Sequence, residues 1–427
     1  LKVTRHFDRH SISSHFRVKR FRRDDGLAIV HQYLPATPVA IADVWVRAGA
    51  LAEPDGWSGM AHFLEHAIFK GTDRLPPGAF DLEIENRGGT TNAATSHDYA
   101  HFFIATADRY FQETLPYLAE ILLHASIPDD EFIRERDVVL EEIRQANDNP
   151  DGVAFDALMD TIYQVHPYKK PVLGAVGELL ERSPQEMRSF HQAHYQPQNM
   201  TVVITGGIQE DLALESIEDC FRDFPSPPSC PTSRVEAEPP LDCVRRRELY
   251  LPRLELARLN MAWIGPGIDE IHDAYGLDLL AIVLAGGRSS RLVRQLREER
   301  QFVQWITGDF SLQRDSSLLT ITAGLEPVYL NTVEEFVVRA VHQLQTTPIS
   351  EVELARAKRQ LCNDFAFSTE TPAQLAGLYG YYQTLANAEI ATLYPQRIQT
   401  FEPEELQQLA RRYLRRDCYA ITIAQGE

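Results

Sequence analysis

The sequence predicts an α+β protein of two domains, each a layer of helices on a sheet. Three observations lead there. A chain of 427 residues exceeds what one hydrophobic core usually organises, while a hydrophobic content of 44% is that of an ordinary globular protein. Stretches of β-like alternation are interspersed with long helical patterns on both sides of the middle. Between them, a Pro- and Ser-rich passage opens at Pro225-Ser226-Pro227-Pro228, runs to Pro239-Pro240 and has no apolar periodicity, the composition of an extended linker. The expected division is a first domain over 1–224, a linker over 225–240 and a second domain over 241–427.

In chain order, Ile41-Ala42-Asp43-Val44-Trp45-Val46 reads as a strand, and a second alternating strand with Tyr99, Phe102 and Ile104 follows the Gly88-Gly89 turn. Asp129 to Asn147 has helical spacing. Asn199 to Thr205 is a strand closing the first domain, ahead of a helix around Leu212 to Phe224. Beyond the linker, Leu318-Leu319-Thr320-Ile321-Thr322 is a strand and Glu351 to Phe367 a helix. The two long helices repeat each other at a constant offset of 222: Glu131 meets Glu353, Arg134 meets Arg356, Val139 meets Leu361 and Glu142 meets Asp364. A period this long indicates duplicated domains.

Composition narrows the function. A formal charge of −19 lacks the basic footprint that nucleic acid binding needs; the excess acid reads first as a solubility feature, and as a sharper alternative part of it lines a cavity that draws in cationic peptides. No apolar run approaches the length that crosses a bilayer, the longest being stretches such as Leu277 to Ala285, so no membrane partner is expected. Five cysteines at irregular spacing, without a C-x-x-C pair, argue against a disulfide framework or a thiolate zinc site and suit a cytoplasmic or equivalent soluble compartment. The basic start, with Arg17, Lys19, Arg20, Arg22 and Arg23, lacks the apolar segment of a secretory signal. Gly286-Gly287-Arg288-Ser289-Ser290-Arg291 lacks phosphate-loop spacing and reads as a helix-connecting loop near a subunit interface.

The chemistry lies in His62-Phe63-Leu64-Glu65-His66. Two imidazoles one helical turn apart, with a carboxylate one turn from the first, project from one side of a helix, the arrangement for two zinc ligands beside a water-activating base. Catalytic zinc needs a third protein ligand on a second rigid element and a fourth position open to water. The helix holding Glu135 and Glu142, two turns apart on one face, can supply a carboxylate. Taken alone, that helix reads equally well as a solvated one laced with Glu and Arg pairs.

With 75 residues between His66 and Glu142, the pattern resembles the zinc signature of the pitrilysin family of inverted zincins, which includes insulin-degrading enzyme and the mitochondrial processing peptidase. Trp45-Val46-Arg47-Ala48-Gly49, Phe69-Lys70-Gly71-Thr72, Gly88-Gly89-Thr90-Thr91-Asn92-Ala93, His166-Pro167-Tyr168 and His194-Tyr195-Gln196-Pro197 resemble it too. The resemblance implies His62, His66 and Glu142 as ligands of one Zn2+ per chain, Glu65 as general base on its bound water, and Glu135 as an outer carboxylate orienting a ligand. It further implies a mainly antiparallel sheet in each of two homologous domains, forming half of a clam-shell dimer around a chamber for peptides or unfolded segments. Asn92 and Ala93 would lie on an exposed sheet edge that takes up substrate as an added strand.

In many relatives the second half contributes an arginine and, seven residues on, a tyrosine that hold the substrate carbonyl. Here Arg297 is present, but Gln304 stands where the tyrosine should be. Two partnerships follow as expectations: a heterodimer with a non-zinc homologous subunit supplying the Arg/Tyr pair, or a homodimer in which Gln304 or Trp305 substitutes. The competing function is a non-catalytic, core-protein-like structural subunit of the same fold. The complete set His62, Glu65, His66 and Glu142 favours the peptidase.

Overall fold

In the computed structural model, residues 3–5, 18–252 and 254–426 are described, the first three as backbone alone; Arg17 lies outside the described residues. One sheet comprises β1 (Val3–Arg5), β2 (Lys19–Arg23), β3 (Ala28–Tyr33), β4 (Val39–Val46), β5 (Thr90–Thr95), β6 (Ala100–Ala107) and β7 (Met200–Gly206), in the spatial order β1-β2-β3-β7-β4-β6-β5. The other comprises β8 (Arg245–Tyr250), β9 (Ala257–Gly265), β10 (Val303–Leu312), β11 (Ser317–Leu325) and β12 (Ala420–Gln425), in the order β10-β11-β9-β12-β8. Each sheet has a single parallel pair, β3 with β7 and β8 with β12, and is otherwise antiparallel. Followed from that pair outward, β3-β7-β4-β6-β5 and β8-β12-β9-β11-β10 are one topology used twice, as duplicated halves require.

Strand β4 shows why the first sheet sits where it does. Ala40, Ala42, Val44 and Val46 join one apolar cluster, with Phe63, Leu64, Phe102 and Leu118, while Ile41 and Trp45 join a second, with Val30, Val203 and Tyr379. Side chains of a strand alternate between faces, so a strand buried on both sides reads as near-continuous apolar sequence. The second cluster is closed by the helix Pro372–Leu385, which packs on β4 and β7. Its Thr371–Gln374 capping box and Pro372 in the first turn define where it starts. Gly380 permits close approach: a Cβ there would lie 2.0 Å from the Trp45 Nε1.

That helix comes from the second half of the chain. The compact units are discontinuous: one contains Leu1–Ile143, Pro171–Arg234 and Ser368–Thr392, the other Arg144–Lys170, Val235–Phe367 and Leu393–Glu427. The division expected at 1–224 and 241–427 therefore differs at two helices, since Pro150–Ile162 packs on β8, β9 and β12 of the second sheet. There Thr422 Oγ1 donates to the Ala154 carbonyl at 3.1 Å and Arg245 Nη1 to that of Ile162 at 2.8 Å. An apolar stripe says that a helix is buried, not which sheet covers it.

The linker region has no regular secondary structure from Ser226 to Leu241, and its second part is tied down: the Glu238 carboxylate accepts from the backbone N–H groups of Gln164, Val165 and His166 at 2.8–3.0 Å. Predicted helices 129–147 and 351–367 appear with those bounds. The helix expected around Leu212 to Phe224 runs Glu210–Cys220, because Phe221 leaves the helical conformation and is buried in the core. No helix among the described residues is long and apolar enough to cross a membrane.

Candidate metal centre

The helix Met60–Ile68 buries Met60, Ala61, Phe63, Leu64, Ala67 and Ile68, which leaves His62, Glu65 and His66 on its remaining face. Its N-terminus is held by Glu53, whose carboxylate accepts from the N–H groups of Gly59 at 3.1 Å and Ala61 at 2.8 Å, satisfying donors that the helix itself cannot. Gly59 has φ +94, and a Cβ there would lie 2.7 Å from the Leu173 carbonyl. The helix Asp129–Asn147 buries Phe132, Glu135, Val139 and Ile143, and Phe132 packs on Phe63 with ring centroids 4.6 Å apart. That contact brings the inward carboxylates of one helix to the imidazoles of the other.

Among the described residues, His62, His66 and Glu142 are the one group of three or more His, Cys, Asp or Glu able to converge on an ion, with ligand atoms all within 4.8 Å. Both imidazoles present Nε2 to Glu142 Oε2, His62 at 3.6 Å and His66 at 3.5 Å. These separations are long for hydrogen bonds and match the edge of a tetrahedron, about 3.3–3.6 Å for ligands about 2.0–2.2 Å from zinc. Burial, and then the neighbouring His66, push the His62 imidazole down to about 4, so it is neutral and able to ligate. The donor set of two imidazoles and one carboxylate fits zinc.

Glu135 lies beside His66: its Oε2 is 3.3 Å from His66 Nδ1 while Oε1 takes the Lys70 ammonium at 2.7 Å. The ammonium pairs with a nearly buried carboxylate whose other oxygen faces the imidazole. Glu65, between the ligands, has its pKa raised by burial, against the lowering effect of its Thr95 hydrogen bond and of His66 and His101. Thr95 Oγ1 donates to Glu65 Oε2 at 2.5 Å. A carboxyl lifted this way is a stronger base.

Asn92 and Ala93 lie on β5, the last strand of the sheet, paired with Phe103 and Phe102 of β6 and with no strand on the other side among the described residues. The Ala93 N–H donates to the Asn92 Oδ1 at 3.0 Å. Arg297 belongs to the second unit, in a seven-residue π-helical stretch Val293–Glu299, where its guanidinium holds Glu298 at 2.6 and 2.9 Å. Gln304 is exposed on β10. Neither is in the unit that holds the metal cluster.

The sequence reading did not single out Lys70, Thr95 or the pair Asp43 and His101. Buried Asp43 accepts from His101 Nδ1 at 3.0 Å, and His101 stacks on Trp45 with ring centroids 4.3 Å apart. An acid within the alternating run Ile41 to Val46 was the one available signal, since a carboxylate inside a buried strand demands a partner. Tyr195 is buried beside Phe102 and His191, close enough to Glu65 for that charge to raise its pKa, and its hydroxyl has no hydrogen-bond partner among the described residues.

The chain is similar to known proteins over most of its length. Residues 28–176 match the family model described as insulinase, peptidase family M16, and residues 183–361 the model described as peptidase M16 inactive domain. The chain is 28% identical over 404 residues to the zinc protease PqqE of Helicobacter pylori, covering 93% of this chain and 90% of that protein. It is 24% identical over 404 residues to a probable mitochondrial-processing peptidase subunit beta of Arabidopsis thaliana, covering 91% and 75%. A crystal structure of a protease from Helicobacter pylori superimposes with a TM-score of 0.90 at 26% identity, covering 96% and 99% of the two chains. A peptidase M16 inactive domain from Pseudomonas fluorescens shares the fold, with a TM-score of 0.86 at 19% identity and coverage of 96% and 98%.

Proposed function

The chain belongs to the M16 peptidase family, whose members named above include zinc proteases, and from that premise we propose that it is a zinc-dependent endopeptidase acting on peptides or unfolded segments. The observation that carries the reading is the convergence of His62 Nε2, His66 Nε2 and Glu142 Oε2 beside the Glu65 carboxylate. Zinc held there would supply a Lewis acid that polarises the scissile carbonyl and makes water a nucleophile near neutral pH.

The protein's own groups do the rest. Glu65 takes the proton of the attacking water and returns it to the departing amine, so no covalent acyl-enzyme forms. Glu135, charge-balanced by Lys70, holds the His66 ring so that Nε2 faces the ligand position. The open edge of β5 offers backbone groups to an extended peptide, with Asn92 and Ala93 at its centre, which gives recognition tolerant of side-chain sequence.

The reading extends to a dimeric chamber, formed by two copies or by this chain and a non-zinc homologue supplying the Arg/Tyr pair that Arg297 and Gln304 only half reproduce. Gel filtration with activity assays separates these: full turnover by the purified chain as a homodimer excludes the second. The test of the chemistry is Glu65→Gln, expected to abolish cleavage of an unfolded peptide while about one zinc per chain is retained. A variant that still cleaves, or a wild type that binds zinc and cleaves nothing, defeats the peptidase reading; the latter would favour the structural-subunit role.

A further inference from the structure

Glu65 has two carboxylate oxygens, and the fold occupies one of them. Its Oε2 accepts the Thr95 hydroxyl at 2.5 Å, the short distance of a charge-assisted bond, and Thr95 is the last residue of β5, the edge strand that carries Asn92 and Ala93. Resting on the peptidase reading above, we propose that Thr95 is the positioning residue of Glu65, pinning Oε2 so that Oε1 faces the attacking water and the carboxylate stays out of the metal's ligand set.

The need for such a residue follows from where Glu65 lies. It shares a helix with His62 and His66, and its flexible side chain can present either oxygen to a cation held by those rings. A carboxylate bound there would fill the position that a catalytic site keeps for water. Burial and the charges of His66, His101 and Glu142 alter the affinity of Glu65 for its proton without choosing a direction for its oxygens. A hydroxyl with one proton does choose.

Thr91 supplies an internal control. Both threonines occupy the less exposed positions of β5, two residues either side of Ala93. Thr91 Oγ1 donates to the Phe103 carbonyl on the paired strand at 3.0 Å, a bond within the sheet, whereas Thr95 donates out of the sheet to the helix. If Thr95 served only the strand, through its β-branched shape, valine would replace it without loss. The hydroxyl therefore joins the edge expected to receive the peptide to the base expected to act on it.

The experiment compares wild type, Thr95→Val and Thr95→Ser, with Thr95→Ala in reserve should the valine variant not fold. Valine is expected to lower kcat about 10–100-fold, the usual cost of losing an orienting partner, with KM little changed, and serine to restore most of it. In the substrate-free protein loaded with cobalt in place of zinc, the visible spectrum of Thr95→Val is expected to differ from that of wild type and Thr95→Ser, as the released carboxylate enters the ligand set. Undiminished kcat in Thr95→Val, or an equal loss in Thr95→Ser, overturns the proposal. If the wild type cleaves no peptide, the peptidase reading fails and the cobalt spectra decide: an unchanged spectrum in Thr95→Val overturns the positioning role, and a changed one sustains it.

Discussion

In the first unit the helix Asp129–Asn147 buries Phe132, Glu135, Val139 and Ile143; in the second, the helix Glu351–Phe367 buries Leu354, Ala357, Leu361 and Phe365. Each residue of the second set stands 222 positions after its counterpart, so the two stripes are one pattern with one change of character, a carboxylate where the other has a methyl group. The other helices differ to match. Met60–Ile68 leaves two imidazoles and a carboxylate on one face, whereas Ile271–Ala285 buries ten of its residues, nearly all apolar. The carboxylate Asp278 of that second helix takes the Tyr394 hydroxyl at 2.5 Å and is pushed up to about 6 by burial.

The difference teaches where this scaffold tolerates charge. A buried carboxylate is costly unless paired, and Glu135 is paired twice, by Lys70 and by His66. The second unit has packing at the equivalent position and therefore no use for such a group. The two copies of the fold keep one buried stripe and differ in its one charged position.

Substitutions at paired positions can break that contrast. The largest effect is expected from Glu142→Ala, which should remove zinc and lower cleavage by more than the about 100-fold that loss of an outer partner costs, while Asp364→Ala leaves both intact; metal analysis beside a peptide assay reads this. Ala357→Glu should leave zinc binding alone and destabilise the protein by about 3–5 kcal/mol, since it puts a carboxylate into the buried stripe of Leu354, Leu361 and Phe365, as urea unfolding would report. Glu135→Gln should weaken zinc about 10–100-fold in competition with a chelator.

Smaller effects test packing and pairing inside each unit. Gly380→Ala drives a methyl group into Trp45 and should cost about 1–3 kcal/mol, read as a lower unfolding midpoint. The smallest belongs to Glu353, which Arg291 holds at about 2, against 4.5 unpaired, through hydrogen bonds of 2.9 and 3.1 Å. Its folded pKa is depressed, so the stability it adds is present above about pH 4.5 and lost as pH falls towards 2. Arg291→Gln should therefore cost about 1 kcal/mol at neutral pH and almost nothing at pH 2.

Much of this was legible in the residues. His62, Glu65 and His66 share a helical turn, and a spacing along one helix determines a side directly, whatever the rest of the chain does. The repeat between the long helices was legible for the same reason, because a buried stripe is a local period. Glu142 was different: the residue types allowed a third ligand on that helix, and only the resemblance picked this one.

What tertiary structure alone decided is every meeting across sequence distance. Lys70 reaches Glu135, Thr95 reaches Glu65, His101 reaches Asp43, and Pro372–Leu385 closes a sheet whose strands end at Gly206. Period and spacing state which side of an element is buried or polar. They carry no address for the element that covers it, because that choice is made by the packing of the whole chain, where apolar area and paired charge are settled together.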